Sequence, residues 1–260
     1  MNQTILSTKQ SNLLENLIVK YGRIVTYNQI RKETVGYWDY GQTRNLITEL
    51  VNDGWLIRIK RELYAISDLT TRGYLSLSPF VVSNLLVPDS YVSFESALQH
   101  HGMFDQMTSR LISISIKRHK FVELSGIMYT YVTTKPQYFL GWQEIQIENN
   151  YAKIATPEKA LIDMVKFHKS QYSIDLVIEK LQEYKGDLDF DRLCGYLNNY
   201  STTTIKIFGL LFDLLGINSE KLYSLINHKT GTNWMFSGDK KFNGKWRLYY
   251  MEYFDKYKTV

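Results

Sequence analysis

The chain has 260 residues, of which 44% are hydrophobic and 14% aromatic, and its formal net charge at pH 7 is +5. This length allows one large domain or two smaller ones, and the aromatic content argues against a disordered chain. A single cysteine excludes an intramolecular disulfide and a cysteine-rich zinc site, while the mild basic excess permits nucleic-acid binding without requiring it.

The first residues lack the basic start and apolar core of a signal peptide. No apolar run approaches the ~18 residues that a membrane-spanning helix needs. The low cysteine content is typical of a reducing compartment. We therefore expect a cytoplasmic protein without a membrane partner.

The first 68 residues predict three helices followed by a hairpin. Helical spacing of apolar residues runs from Leu13 to Ile18 and stops at Gly22. Thr26 can cap a short second helix. Asp39 precedes a third helix, which ends at residues 52–54. Two β-type runs follow at 55–59 and 62–66. This order is typical of a winged helix-turn-helix, which places one helix in a DNA groove while the hairpin touches the flanking backbone.

A polar stretch over residues 67–73 predicts a boundary between domains of residues 1–68 and 74–260. The second domain mixes helices and strands at first and becomes mostly helical from residue 173. We therefore predict an α+β fold, in which an N-terminal winged helix-turn-helix precedes a mixed domain with a small sheet and a helical C-terminal half. The predicted helices of this part are 80–87, 92–103, 156–168, 173–184, 189–199, 203–215 and 219–227, and the predicted strands are 111–116, 127–133, 144–147, 151–154, 233–236 and 246–253.

The third helix carries the strongest candidates for DNA contact. When the apolar stripe of this helix is turned inward, Gln42 and Asn45 face outward. Their side-chain amides can form paired hydrogen bonds with adenine. Arg44, at the margin of that face, suits guanine or phosphate. Tyr40 and Thr43 are close enough for sugar or phosphate contacts. The alternatives are that these residues are only solvated, or that the winged helix binds another protein.

The tip of the predicted hairpin is basic. Arg58, Lys60 and Arg61 can reach phosphate or the minor groove of a duplex that the third helix has bound. The alternative is an ordinary charged turn that keeps the hairpin soluble.

The sequence offers little for catalysis. The adjacent His100 and His101 would point about 100° apart on a helix, so one metal ion cannot easily use both. The aspartates at 187, 189 and 191 lack the glycine and the glutamate of a calcium loop, and a helix start explains them better. The start of a helix explains Glu158, and a capping role or a salt bridge explains Asp163. We predict no catalytic residue, no metal and no cofactor.

Three segments carry a family resemblance. Residues 91–102 (YVSFESALQHHG) contain a serine, two further residues, serine-alanine-leucine and a later glycine, residues 138–142 (YFLGW) form an aromatic-glycine segment, and residues 154–163 read IATPEKALID. In this order, after a hairpin that ends in a tyrosine, here Tyr64, the segments resemble the signature of AbiEi-type antitoxins. The resemblance covers about residues 10–170.

The resemblance implies a cytoplasmic bacterial or archaeal antitoxin of a two-gene toxin–antitoxin system for abortive infection. In that family the N-terminal domain represses its own operon by binding DNA repeats. The C-terminal domain is linked to neutralising a nucleotidyltransferase-like toxin without a stable complex. The implied partners are therefore double-stranded operator DNA and such a toxin.

Three basic residues of the second domain, Lys117, Arg118 and Lys120, follow a predicted strand and are candidates for a functional face. Their alternative role is simple solubility. Two other functions stay open at this point. One is a winged-helix transcriptional regulator whose second domain binds an effector, with no toxin partner. The other is an enzyme in which residues 74–260 act on nucleic acid delivered by the winged helix.

Overall fold

The computed structural model describes residues 5–67, 70, 72–106, 108–226 and 231–258, and its fold is α+β, as predicted. The chain divides into two compact units, the first of residues 1–88 with 123–127 and the second of residues 89–122 with 128–260. The predicted boundary at 67–73 includes residues 68, 69 and 71, which lie outside the described residues. Helix 79–86, which follows it, belongs to the first unit. No described helix is long and apolar enough to cross a membrane.

The predicted order of three helices and a hairpin is confirmed in the first unit. The structure adds a strand of three residues, 24–26, which was too short to predict. It pairs antiparallel with the second strand of the hairpin and gives a sheet of order β1-β3-β2. The elements are α1 (Thr8–Tyr21), β1 (Ile24–Thr26), α2 (Tyr27–Thr34), α3 (Tyr40–Asn52), β2 (Leu56–Lys60), β3 (Leu63–Ile66) and α4 (Pro79–Leu86).

The local sequence accounts for these helices. Thr26 caps α2 as predicted, and Asp39, which was predicted only to precede the third helix, caps α3. Each side chain accepts the backbone N–H of the glutamine three positions later, and that glutamine's side chain accepts the backbone N–H of the cap residue. The apolar stripes of the three helices then meet the inner face of the sheet. Fully or almost fully buried residues at this core are Leu13, Leu17, Val25, Ile30, Leu46, Leu50, Leu56 and Ile66.

The described residues between 90 and 258 form a six-stranded sheet, a helical half and a small C-terminal sheet. In the larger sheet, of order β6-β7-β5-β4-β9-β8, β4 pairs antiparallel with β5 and parallel with β9. The elements are β4 (Ser90–Val92), α5 (Phe94–His100), β5 (Arg110–Ser115), β6 (Val122–Leu124), β7 (Ile127–Thr133), β8 (Trp142–Ile147), β9 (Asn150–Ala155), α6 (Pro157–Asp163), α7 (Gln171–Glu183), α8 (Phe190–Leu197), α9 (Thr202–Leu214), α10 (Glu220–Leu225), β10 (Asn233–Trp234), β11 (Lys241–Asn243) and β12 (Leu248–Tyr250).

The predicted helix over 92–103 is wrong at both ends. Residues 90–92 form the central strand β4, and α5 covers only 94–100. Phe94, at the turn between them, has a φ of +58°, a left-handed conformation that is uncommon for a bulky side chain. Gly102, with a φ of +70°, ends the segment. The helix from residue 157 continues to His168 as predicted, with a π-helical last turn.

The predicted strand over 246–253 is also too long. Only residues 248–250 are extended, and residues 252–257 form a 3-10 helix. The prediction also missed two strands, β6 and β11, of three residues each. Such short strands depend on their neighbours in the sheet for their hydrogen bonds, so the local sequence gives a weak signal.

Candidate nucleic-acid interface

Helix α3 presents the polar face that its sequence predicts. Leu46, Ile47 and Leu50 are buried, whereas Arg44 and Asn45 are exposed on the opposite side. The buried stripe fixes the rotation of the helix, because its residues recur at helical spacing on one face. The outward side chains are therefore held toward solvent by the core.

The exposed face of α3 and the β2–β3 hairpin line one open groove. From α3 come Tyr40, Arg44 and Asn45, and from the hairpin come Arg58 and Arg61. All five side chains were predicted to contact DNA. Three guanidinium groups in one groove suit a phosphate backbone, since each can donate a fork of two hydrogen bonds to phosphate oxygens.

Helix α2 supplies one groove residue and one nearby arginine that the prediction missed. Tyr27 lines the groove, and the Arg31 guanidinium lies 5.3 Å from the centre of the Tyr40 ring in a cation–π contact. Arg31 is exposed and adds a fourth positive charge near the groove. The signal was present in the sequence, because residues 27 and 31 are four apart and share a face of α2.

Gln42 has a second role that limits its use in base recognition. Its side-chain oxygen accepts the Asp39 backbone N–H at 3.0 Å, and the Asp39 carboxylate accepts the Gln42 N–H at 2.7 Å. Adenine recognition by a glutamine uses the amide oxygen and nitrogen together. Gln42 can therefore make that pair of contacts only if the cap opens.

The prediction for Thr43 is wrong. Its side chain is 1% exposed, and its hydroxyl lies 2.8 Å from the Asp39 carbonyl oxygen and 3.0 Å from Thr34 Oγ1. Thr43 precedes Leu46 by three positions and Ile47 by four, so it belongs to the apolar stripe. It joins α2 to α3 and cannot reach a sugar or a phosphate.

Lys60 is placed differently from the two arginines of the hairpin. Its Nζ donates to the carbonyl oxygen of Leu86, at the end of α4, at 3.3 Å. The side chain is half-buried, and this burial lowers the pKa of Lys60. Lys60 does not line the groove, and its contact holds α4 against the hairpin.

One acidic side chain, Glu62, also lines the groove. Its Oε1 lies 3.6 Å from Arg61 Nε, and both side chains are largely exposed. Such exposed pairs contribute little, typically below about 1 kcal/mol. Glu62 therefore leaves Arg61 available for a phosphate.

The three segments that carry the family resemblance meet at one buried ion pair in the second unit. Lys159 and Asp163 on α6 are both 0% exposed and form a salt bridge. Ser93 Oγ donates to Asp163 Oδ2 at 2.7 Å, and the Lys159 Nζ donates to the Tyr91 hydroxyl at 2.7 Å. The Tyr200 hydroxyl donates to the other Asp163 oxygen at 3.2 Å.

The aromatic-glycine segment encloses the same ion pair. A Cβ at Gly141, which has a φ of +74°, would lie 3.0 Å from the Lys159 side chain, so the lysine stem occupies the space that a larger residue would need. Phe139 packs edge-on against Tyr91, and Tyr138 stacks on Tyr200. Burial lowers the pKa of Lys159 and raises that of Tyr91. Because the polar groups are enclosed and paired, the arrangement fits a structural role.

Two aspartates have the roles that were predicted for them. Asp163 forms a salt bridge, which was one of its two predicted roles. Asp189 starts a helix, because it caps α8 by accepting the Arg192 backbone N–H at 2.9 Å. Glu158 does more than start a helix. It is 0% exposed, and its carboxylate accepts the Asp189 backbone N–H at 3.0 Å and the Arg192 guanidinium at 3.1 Å. These contacts tie α6 to α8.

Within the described residues, no group of three or more His, Cys, Asp or Glu side chains could hold a metal ion.

The candidate face of the second unit is a loop between β5 and β6. Lys117, Arg118 and Lys120 are exposed there, as a functional face requires. Phe121, which the prediction did not include, follows them and is 64% exposed. The loop thus combines positive charge with an exposed ring.

Comparison with known proteins defines the fold only. No family model matches the chain, and no curated protein matches it. A solved structure, the Rv2827c protein from Mycobacterium tuberculosis, is similar with a TM-score of 0.67 at 15% sequence identity, and the match covers 95% of this chain and 92% of that one. The chain therefore shares its α+β fold with that protein over nearly its whole length.

Proposed function

We propose that this chain is the DNA-binding antitoxin and autorepressor of a two-gene toxin–antitoxin system. In this proposal the first unit binds operator DNA, and the second neutralises a nucleotidyltransferase-like toxin without catalytic turnover of its own. The groove that α3 shares with Arg58 and Arg61 is the observation that carries the DNA-binding part. The toxin-neutralising part rests on the resemblance of the segments that meet at Lys159 and Asp163.

The groove suggests how the duplex binds. Helix α3 would enter the major groove by its N-terminal half, which holds Tyr40, Arg44 and Asn45. Arg44 and Asn45 are then the side chains that reach base edges. Arg58 and Arg61 contact the phosphates beside them and fix the register of the helix.

Replacing Arg44 by alanine is expected to weaken operator binding by about 1–3 kcal/mol and to relax the preference at one base pair. Arg61→Ala is expected to weaken binding to all sequences and to reduce the slope of log K against log salt by about one, because one phosphate contact is lost. Fluorescence anisotropy with the upstream DNA of the gene, at several salt concentrations, measures both effects.

The matched control is the double variant Lys9→Ala/Lys32→Ala. It removes the same charge as Arg44→Ala/Arg61→Ala from exposed positions of α1 and α2 that do not line the groove. If both double variants bind the operator equally well, the groove is not the DNA-binding surface.

Toxin rescue is expected to be independent of the groove. The full-length Arg44→Ala/Arg61→Ala variant, expressed from an unrelated promoter, should restore growth to cells that express the neighbouring toxin gene. Charge reversal of Lys117, Arg118 and Lys120 to glutamate should reduce rescue while operator binding by the first unit remains, since this loop is the candidate face of the second unit. Growth is scored with soluble protein levels as the control.

A transcriptional regulator without a toxin partner gives a different result. It would bind its operator through the same groove, and no variant, including the wild type, would rescue growth. Loss of rescue in the groove variant alone would assign neutralisation to the DNA-binding unit and contradict the proposed division of roles.

A further inference from the structure

Three aromatic rings lie side by side on the small C-terminal sheet. Tyr249 of the central strand β12 is paired with Trp234 of β10 on one side and with Phe242 of β11 on the other. The Trp234 and Tyr249 rings are stacked, with centroids 5.2 Å apart and planes at 13°. Phe242 lies 5.0 Å from Tyr249 at 49°. We call these three residues the aromatic row.

The aromatic row is on the solvent side of its sheet. Leu248 and Tyr250, the neighbours of Tyr249 along β12, are buried on the opposite side. The two outer rings remain open, with Trp234 50% exposed and Phe242 48% exposed. Cross-strand ring pairs stabilise a sheet, and that role explains Tyr249. It does not explain why the outer two rings remain half exposed.

Two exposed cations lie near the aromatic row. Residues 231–258 contain six lysine or arginine residues, and the four at 241, 245, 256 and 258 form ion pairs. Lys240, two positions before Phe242, and Arg247, two positions before Tyr249, are exposed, and neither forms an ion pair with any residue in the part of the chain that the structure describes.

We propose that the aromatic row binds single-stranded nucleic acid. A base would stack on the open face of Trp234 and another on Phe242, while Lys240 and Arg247 contact the phosphates between them. Open rings in a basic surface are the combination by which proteins hold single strands without sequence preference. A duplex is a poor occupant, because its bases are already stacked on one another. Lys240 and Arg247 also make the row a poor match for a basic protein, and an uncharged sugar would leave both cations without a partner.

The test is fluorescence anisotropy of labelled oligo-dT and oligo-U of about 12 nucleotides, a length within the range of roughly 4–16 that known single-strand sites cover, titrated with the full chain. The double variant Trp234→Leu/Phe242→Leu is expected to bind at least about tenfold more weakly, since each stacked base contributes a large part of the affinity. Leucine keeps apolar contact with the sheet, and an unchanged urea midpoint verifies the fold.

Two controls decide the outcome. Tyr172→Leu removes an exposed ring from α7, where the side chain is 55% exposed, and should leave single-strand binding unchanged. Arg44→Ala/Arg61→Ala should also leave it unchanged while operator binding falls, so this site and the proposed DNA groove can fail separately. Unchanged single-strand affinity in the leucine variant, equal losses in Tyr172→Leu, or no binding by the wild type at low salt would each overturn the proposal.

Discussion

Replacing Asp163 by asparagine is expected to destabilise the protein by about 3–5 kcal/mol, because the Lys159 ammonium would remain buried without its counter-charge. Both side chains are 0% exposed, so water cannot take the place of the carboxylate. Charge reversal at Asp163 should be worse and should prevent folding. Urea unfolding followed by circular dichroism measures the loss.

A double variant separates the charge from the packing. Lys159→Met/Asp163→Asn removes both charges and keeps an amide oxygen that can accept the buried hydroxyl groups around residue 163. It should be more stable than Asp163→Asn, since breaking a buried pair leaves an uncompensated charge. The exposed pair of Lys221 and Asp191 is the matched control, with 66% and 78% of the two side chains exposed. Asp191→Asn should change the free energy of unfolding by less than about 1 kcal/mol. An equally small effect of Asp163→Asn would show that the buried pair is not needed for stability.

Gly209→Ala in α9 is expected to destabilise by roughly 3 kcal/mol, at the upper end of overpacking effects. A Cβ at residue 209 would lie 2.2–2.4 Å from ring atoms of Trp246. That ring is 0% exposed, and its Nε1 donates to Asp213 Oδ2 at 2.6 Å, so it has no free direction in which to move. The unfolding midpoint in urea measures the loss.

Gly195→Ala in α8 is the matched control for Gly209→Ala. No atom lies within 4 Å of the Cβ position there, so this variant should gain about 0.5–1 kcal/mol from the helix preference of alanine. If Gly209→Ala lowers the free energy of unfolding and Gly195→Ala raises it, the loss at residue 209 is attributed to the contact with Trp246. Two gains would contradict the close packing.

The first unit could be predicted closely because its signals are local. Caps such as Thr26 and Asp39 lie next to the stripes that they start, and the turn at residues 52–54 ends α3 within the same short window. Thr43 was wrongly predicted to face outward because threonine is a polar residue type. Its spacing from Leu46 and Ile47 already assigned it to the buried stripe. Lys60 was misplaced for another reason, since its partner Leu86 is 26 residues away.

The second unit was less predictable because its contacts join distant segments. Strand β4 is recognisable only through its pairing of Val92 with Ile154 and of Tyr91 with Ile114. The spacing of Lys159 and Asp163 permits an ion pair on one helix face, but nothing near them indicates that both would be buried. The aromatic row is local by comparison, but its strands have only two or three residues each, so the pairing of its rings gives a weak sequence signal.

The hydrogen bonds around Asp163 also set the order in which the second unit can form. The side chains that bind this carboxylate begin at Tyr91 and end at Tyr200, which are 72 residues before it and 37 residues after it. Folds dominated by pairs so far apart along the chain form slowly, on a scale of milliseconds to seconds, because the loops must close before any contact forms. During synthesis at about 5–20 residues per second, the nascent chain would carry Lys159 and Asp163 for seconds before Tyr200 is made. The core around Asp163 therefore cannot be completed until Tyr200 has been made and has left the ribosome.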